Sequence, residues 1–489
     1  MAHLTSLPPE LVLAVASYIK AQGASLAPFA AISIQFQASI ENITFRSLKV
    51  SQSQLDFFSR VVDKNRFLAL RILKFSINVT GENAGLDADT GNVGAVDACS
   101  RELTDVLEEL LTVLYEKGAD AKTHQGLELE LNGRCRPFIG YKKTRDLKGG
   151  DKVEDNWVKL NPEQLPNDLK APVVTGFSCF DNGLSWDLWP ASWPALLGRF
   201  PKLAEAHLKP SDCERKDSIC RREARDAFAL SLRSLPATLK QLTLEYLSSP
   251  PENEFYDPPN LANLGTGYDL FSHELGVLSQ QLDRLVVWEA TVDFKEFFQA
   301  KPEGTWNELE ELCFRNSRTG SADGSWYFNL DPRMTMEEYE EEWRDHDART
   351  LDEMREYMEE EELPIPMDTP LEYFRTAMDP DKFRQIYTSA ADATKRMPKL
   401  KRLEINFDIR QTGSGEAEHE LRFFQGNERW CSASTADLRV GWNLQPMIEI
   451  DPGVVKAWKE VGAARNLTID LLVRGDDCSD YDDFRLVDF

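Results

Sequence analysis

Residues that carry chemistry are scarce in this chain, and those present do not fall into motifs. Only six of its 489 residues are histidine. His273-Glu274 is followed by Val277, where a zinc-protease helix needs its second histidine. Gly183-Leu184-Ser185-Trp186-Asp187 lacks the closing glycine of a nucleophile elbow. Gly265-Thr266-Gly267 lacks the third glycine of a dinucleotide loop, and there is no P-loop. No motif with a mechanism is left, so no catalytic residue is assigned. An enzyme whose site assembles only in space stands as the minor alternative.

Closely spaced cysteines are also missing. The eight (Cys99, Cys135, Cys179, Cys213, Cys220, Cys313, Cys431 and Cys478) are scattered and include no C-x-x-C. That usage fits a reducing compartment, cytoplasmic and/or nuclear, and not a disulfide scaffold. Cys213 and Cys220 lie seven apart without a paired histidine, so no structural zinc site is expected. No cofactor is expected either.

Basic charge is in deficit: 56 Lys and Arg stand against 82 Asp and Glu, a net charge of −26. Such a chain repels phosphate backbones and anionic lipid, which excludes nucleic acid and membrane surfaces as expected partners. The dense basic run over 134–159 has few interleaved aromatics and reads as a solvated loop. Long apolar runs are absent too. Residues 21–40 are uncharged, but three Gln, three Ser, Gly23 and Pro28 make them too polar for a membrane span. The apolar Leu11–Ala16 follows Pro8-Pro9-Glu10, with no Lys or Arg before Lys20, so it does not read as a signal peptide.

The acidity is localised. Residues 331–362 hold fifteen acidic against four basic side chains, and residues 470–489 hold seven against two. Within the first, Met334–Glu362 reads as one long charged helix with a narrow apolar stripe, and the second reads as a loosely held tail.

Core material is plentiful: 42 % of residues are apolar and 26 are Phe. Ser6, Pro8, Pro9 and Glu10 suit a helix start, Leu11, Val12, Val15 and Ile19 recur at helical spacing, and Gly23 stops the helix. Two more short helices are expected near Ser25–Pro28 and Ser33–Thr44. From residue 52 onward an amphipathic helix alternates with a strand phrase, L-x-x-L-x-φ, where φ is apolar. It occurs at Leu70, Leu239, Leu282, Leu309 and Leu400, more weakly at Leu203, and in part at Leu127-x-Leu129-x-Leu131. This cadence is that of leucine-rich repeats, with irregular spacing. An ordinary flat α/β sheet has the same rhythm and stays open as an alternative. Later strands are expected at 419–425, 436–444 and Leu467–Val473, with a helix over Val454–Val461.

Residues 6–46 resemble an F-box. The phrase is Leu7-Pro8-Pro9-Glu10-Leu11, then Val15 and Ile19, then Leu26, Phe29, Ile32 and Phe36. Phe36 stands where many members carry Trp, and the spacer Ala21–Ser25 is long. The repeat cadence that follows, with the Trp-rich stretch Ser185–Pro194, is similar to that of fungal F-box proteins. The tryptophans themselves are expected to pack in the core.

Cadence, charge and resemblance together give an α/β chain in three parts. A three-helix F-box-like unit (1–50) precedes an irregular leucine-rich-repeat-like solenoid of parallel strands and return helices (51–475), which carries an acidic helical insertion at 331–370. An acidic tail (476–489) ends it. The resemblance also implies docking of a Skp-type adaptor of a cullin-RING ubiquitin ligase, through Leu7, Pro8, Leu11, Val15 and Ile19. A protein substrate would then meet the outward residues of the repeat strands. Lys209, Glu245, Arg284, Val286, Trp288, Arg315 and Arg402 are the expected contacts, with Trp288 and Val286 as an apolar island. The alternative is a repeat scaffold with a vestigial F-box.

Overall fold

The structure is a computed structural model, and it describes residues 8–79 (24 apart), 92–120, 124–135, 157–180 (162 and 167 apart), 188–212, 218–248, 258–300, 304–330 (318 apart), 375–409, 417–425, 437–443, 450–474 and 484–486. The chain divides into two units, one of residues 1–139, 156–209 and 234–240, the other of 140–155, 210–233 and 241–489. Each contains a mostly parallel, open sheet with helices.

The first unit begins with three helices, α1 (Pro9–Ala21), α2 (Ala27–Ala30) and α3 (Ile34–Thr44). Pro9 opens α1, where a missing N–H costs nothing, while Glu10 and Lys20 sit at the ends their charges favour. Gly23 takes φ +73°, and its N–H donates to the Lys20 carbonyl at 3.0 Å, closing the helix. Ser33 caps α3, its Oγ accepting from the Phe36 N–H at 3.2 Å. Val12 and Ala16 on α1 bury against Phe36 and Ile40 on α3, ringed by Leu26, Phe29, Ala30 and Ile43.

Next come β1 (Ser47–Ser51), α4 (Leu55–Val61), α5 (Lys64–Ala69), β2 (Ile72–Val79), α6 (Asn92–Asp120), β3 (Leu127–Cys135), β4 (Val174–Phe180), α7 (Ser192–Leu197) and β5 (Glu205–Leu208). The five strands pair in that order, all parallel. β1 begins after the last expected helix but within the 1–50 span expected for the N-terminal unit. Leu103, Val106, Leu107, Leu110, Leu111 and Leu114 form the buried stripe of α6, which lies against β2, α4 and α5. Trp193 is sealed in the core, as expected of it, while Trp189 is half-buried.

The second unit contains β6 (Ser211–Asp212), α8 (Ser218–Ser231), β7 (Gln241–Glu245), β8 (Leu247–Ser248), α9 (Leu270–Ser279), β9 (Arg284–Trp288), α10 (Phe294–Gln299), β10 (Glu311–Ser317), β11 (Phe328–Leu330), β12 (Arg375–Met378), α11 (Pro380–Thr394), β13 (Arg402–Ile409), β14 (Ala417–Gln425), β15 (Leu438–Asn443), α12 (Pro452–Arg465), β16 (Ile469–Arg474) and β17 (Phe484–Leu486). Its main sheet runs β7-β9-β10-β13-β14-β15-β16-β17. Helices α8 to α12 pack one on the next.

The leucine phrases become the core. The second leucine of each phrase aligns across the strands, Leu242 with Leu285, Leu312 and Leu403, and the third position follows as Leu244, Val287, Phe314 and Ile405. All eight are sealed from water. At roughly 1.5–3 kcal/mol per fully buried side chain, this alignment stabilises the sheet. Behind β10 and β13, aromatic rings meet edge-on, Phe297 and Phe314 at 4.9 Å and Phe383 and Phe407 at 5.3 Å between centroids.

Strand direction departs from the expected all-parallel array. β7, β9, β10 and β13 are parallel. β14 and β15 then run antiparallel to their predecessors, β16 parallel to β15, and β17 antiparallel to β16. Connection length explains the turn into β14 and into β17. Residues 410–416 and 475–483 are too few for a crossover, whereas α12 lies between β15 and β16 and supplies one. The strand β17 falls in the stretch expected to be a loose tail. The acidic helix expected over 334–362 lies outside the described residues, as do residues 136–156 of the basic run expected over 134–159. No described helix is long and apolar enough to cross a membrane.

Candidate functional site

Two surfaces hold the residues singled out in the sequence. On α1, Leu11, Val15 and Tyr18 follow one another at i, i+4 and i+7, so they form one stripe. All three are exposed, Leu11 at 51 % and Tyr18 at 68 %, although Val12 and Ala16 next to them are sealed in the three-helix core. The helix therefore has two apolar faces and its own unit uses only one. Pro8 is exposed at the head of the stripe and Ile19 is half-buried at its flank. Leu7 lies outside the described residues. Tyr18 was not among the expected contacts. Its spacing from Leu11 and Val15 was the available signal.

The second surface is the outward face of β9, β10 and β13. Parallel pairing places Gln241, Arg284, Glu311 and Arg402 side by side in one row. Thr243, Val286, Cys313 and Glu404 form the next, and Glu245, Trp288 and Arg315 the third. Opposite charges alternate along and between these rows. Arg284 Nε donates to Glu311 Oε2 at 2.7 Å. Arg402 Nη2 donates to Glu404 Oε2 at 2.7 Å, and Arg315 Nη2 donates to the same oxygen at 3.1 Å. Arg402 Nη1 lies 3.9 Å from Glu311 Oε1. Two aromatic rings complete the lattice, with Arg315 5.0 Å above Trp288 and Arg402 5.6 Å above Phe424.

The middle row is closed over. Val286 and Cys313 are sealed, and Cys313 sits among Glu311, Glu404, Arg402 and Arg315. Burial, then the charges of Glu404 and Glu311, push its thiol well above the ordinary range, so it stays protonated and unreactive. Burial also works against the Glu311 carboxylate, but the hydrogen bond and charge of Arg284 outweigh it and hold the group below its usual value. Trp288 and the arginines are therefore the outer side chains of this face, and Val286 lies beneath them.

The backbone at the ends of β9 and β10 is strained. Glu289, directly after Trp288, has φ +57°, and Asn316, directly after Arg315, has φ +48°. Such conformations cost of order 1–3 kcal/mol each and cluster at functional sites. The Glu289 N–H donates to the Arg315 carbonyl at 2.9 Å, and the register of β10 against β13 shifts between Phe314 and Ser317.

Lys209 follows β5 in the first unit, and Glu245 ends β7 in the second. Arg284, Trp288, Arg315 and Arg402 are brought together as neighbours. The sequence reading did not pick out Glu311, Glu404 and Phe424 as contacts, because their roles depend on cross-strand register. Among the described residues, no group of three or more His, Cys, Asp and Glu is placed to hold a metal ion.

A model for a family of unknown function (DUF6546) matches residues 371–482, which span β12 to β16 and include Arg402, Glu404 and Phe424. No curated protein matches the chain significantly.

Proposed function

We propose that this chain is a non-catalytic recognition subunit. Its N-terminal helices form an F-box-like unit that docks a Skp-type adaptor of a cullin-RING ubiquitin ligase. Its repeat-like second unit presents a protein substrate on the face of β9, β10 and β13. The mechanism is proximity: one end holds the ligase, the other holds the target, and no group on this chain reacts.

The observation that carries the reading is the exposed stripe Leu11, Val15 and Tyr18. An apolar stripe left open on a helix whose neighbouring face is packed is the arrangement a partner helix needs. Had Leu11 and Val15 been sealed against residues 52–80, docking would have required unfolding of the unit. The leucine phrases align in register along a mostly parallel sheet with helices, which supports a repeat-like body.

The test is co-purification. Tagged full-length chain should capture the adaptor, and Leu11→Ala with Val15→Ala should abolish capture while the protein stays folded, as should Leu7→Ala with Pro8→Ala. Capture that survives both double substitutions removes the assigned interface. No capture by the wild-type chain favours a scaffold whose F-box-like unit meets no adaptor.

A further inference from the structure

We propose that the exposed face of α1 also pairs with the same face on a second copy of this chain, antiparallel and about a two-fold axis, so that self-association covers the stripe until an adaptor displaces it. This rests on the reading that the stripe is a docking surface, and it assigns the regulation of that surface.

Two rows of side chains make up the face. Leu11, Val15 and Tyr18 form one. Glu10, Leu13, Ser17 and Lys20 form the other, since they follow one another at i, i+3, i+7 and i+10. All seven are exposed, and Ala14, exposed as well, lies between the rows. The helix carries two charges, Glu10 in its first turn and Lys20 in its last. Among the described residues neither forms an ion pair.

Such a face is its own complement. A two-fold axis that pairs two α1 helices antiparallel sets the start of one beside the end of the other, and keeps each row against the same row of its partner. Glu10 then meets the partner's Lys20, and Lys20 meets the partner's Glu10, so both charges are matched. A parallel pairing would set like charges side by side. In the antiparallel register Leu11 packs against the partner's Tyr18, and the large Leu13 against the partner's Ser17, which is small. Ala14, near the axis, lets the two helices approach closely. The charge of the whole chain does not oppose this contact. Residues 1–62 carry Lys20, Arg46, Lys49 and Arg60 against Glu10, Glu41 and Asp56, four basic against three acidic, so the excess that makes up −26 lies elsewhere in the sequence. Charges in solvent are screened beyond about 8–10 Å. With 13 residues, α1 offers a contact about 20 Å long. That is at the low end for a specific interface, so pairing is weak and reversible, as a displaceable cover must be.

The experiment is analytical ultracentrifugation of the full-length chain. Between about 1 and about 100 μM the mass should rise from that of one chain toward that of two. Glu10→Lys and Lys20→Glu are each made at an exposed position, and each turns two attractive contacts of the dimer into repulsive ones. Each alone should weaken pairing by about tenfold. An equimolar mixture of the two variants should pair to within about threefold of the wild type, because one then carries only lysine at the two positions and the other only glutamate. A wild-type chain that stays monomeric at about 100 μM, single variants that pair as well as the wild type, or a mixture no better than either variant overturns the proposal. Excess adaptor should convert the dimer into complexes that contain one chain each, and a dimer that persists with adaptor bound also overturns it. If the chain captures no adaptor while the variants and their mixture behave as stated, the ligase reading falls and this one stands. If the chain captures adaptor but never dimerises, this proposal falls and the ligase reading stands.

Discussion

Arg225 and Asp269 form a two-pronged ion pair in the interior of the second unit, Nε to Oδ1 and Nη2 to Oδ2, each at 2.8 Å. Both side chains are sealed from water. Each also does something else. Asp269 caps α9, accepting from the Ser272 N–H at 3.1 Å. Arg225 donates to the Thr291 carbonyl at 2.6 Å and lies 4.4 Å above the Phe271 ring. One pair thus ties α8, α9 and the connection into α10. Arg225→Ala strands a buried carboxylate and should cost about 3–5 kcal/mol. Urea unfolding measures it, and a loss below about 1 kcal/mol would mean that water reaches Asp269 readily.

The two faces of α1 should respond differently to truncation. Phe36→Ala opens a cavity in the small core that Val12 and Ala16 share, and should cost about 3–5 kcal/mol. Leu11→Ala removes an exposed side chain and should change stability by no more than about 0.5 kcal/mol. Hydrogen exchange of α1 and α3 reads both. Loss of protection in Leu11→Ala would make the stripe a structural feature of the unit.

Glycines in helices are not equivalent here. A Cβ on Gly276 would sit 2.4 Å from the Phe297 carbonyl oxygen and 2.8 Å from the Ala300 Cβ, so α9 and α10 pack closely because that side chain is missing. Gly276→Ala should cost about 1–3 kcal/mol. On Gly118 in α6 a Cβ meets Val173 at an ordinary 3.4 Å. Gly118→Ala should stabilise by roughly 0.5–1 kcal/mol through helix propensity. Paired thermal melts distinguish the two, and the same sign in both would contradict the geometry.

His124 should contribute a pH dependence. The Gly126 N–H donates to its Nδ1 at 3.0 Å, which places the proton on Nε2, facing the Phe67 carbonyl at 3.1 Å. Burial, and after it the charge of Arg71, lower its pKa below 6.5. The neutral ring is therefore favoured in the folded state. Its contribution is fully present above the unfolded pKa near 6.5 and is lost as pH falls through the lower folded value. Unfolding free energy measured from pH 8 down to pH 5 should decline less in His124→Gln than in the wild type. Identical slopes would remove His124 as a source.

Much of the sheet was legible in the sequence. Each full L-x-x-L-x-φ phrase falls on a strand, β2, β7, β9, β10 and β13, and the three short N-terminal helices lie where caps, Pro and Gly place them. The later elements from β14 to β16 also fall close to their expected spans. Strand direction was not legible, because alternation of apolar side chains is the same in a parallel and an antiparallel strand. Nor was β1, whose sequence Ser47–Ser51 has only Leu48 and Val50 as apolar members.

At the candidate sites the division is sharper. Arg284, Trp288, Arg315 and Arg402 could be placed on one face from their positions within the phrases alone. Burial of Val286 and Cys313 could not, because it depends on side chains from strands 27 to 118 residues away that reach over the middle row. The carboxylates Glu311 and Glu404 are ordinary surface acids in sequence and become partners only through register.

Composition and periodicity therefore determined what could be buried: which leucines enter the core, which helices accompany the strands, and where the negative charge is concentrated. They do so because water sorts side chains locally, by period and polarity. Tertiary structure decided which surfaces are left open and which charges meet. The Leu11 stripe is exposed because α1 turns Val12 and Ala16, and not Leu11, toward α3, and the arginines meet their carboxylates because pairing of β9, β10 and β13 brings Glu311 and Glu404 beside them. Both outcomes depend on neighbours distant in the chain.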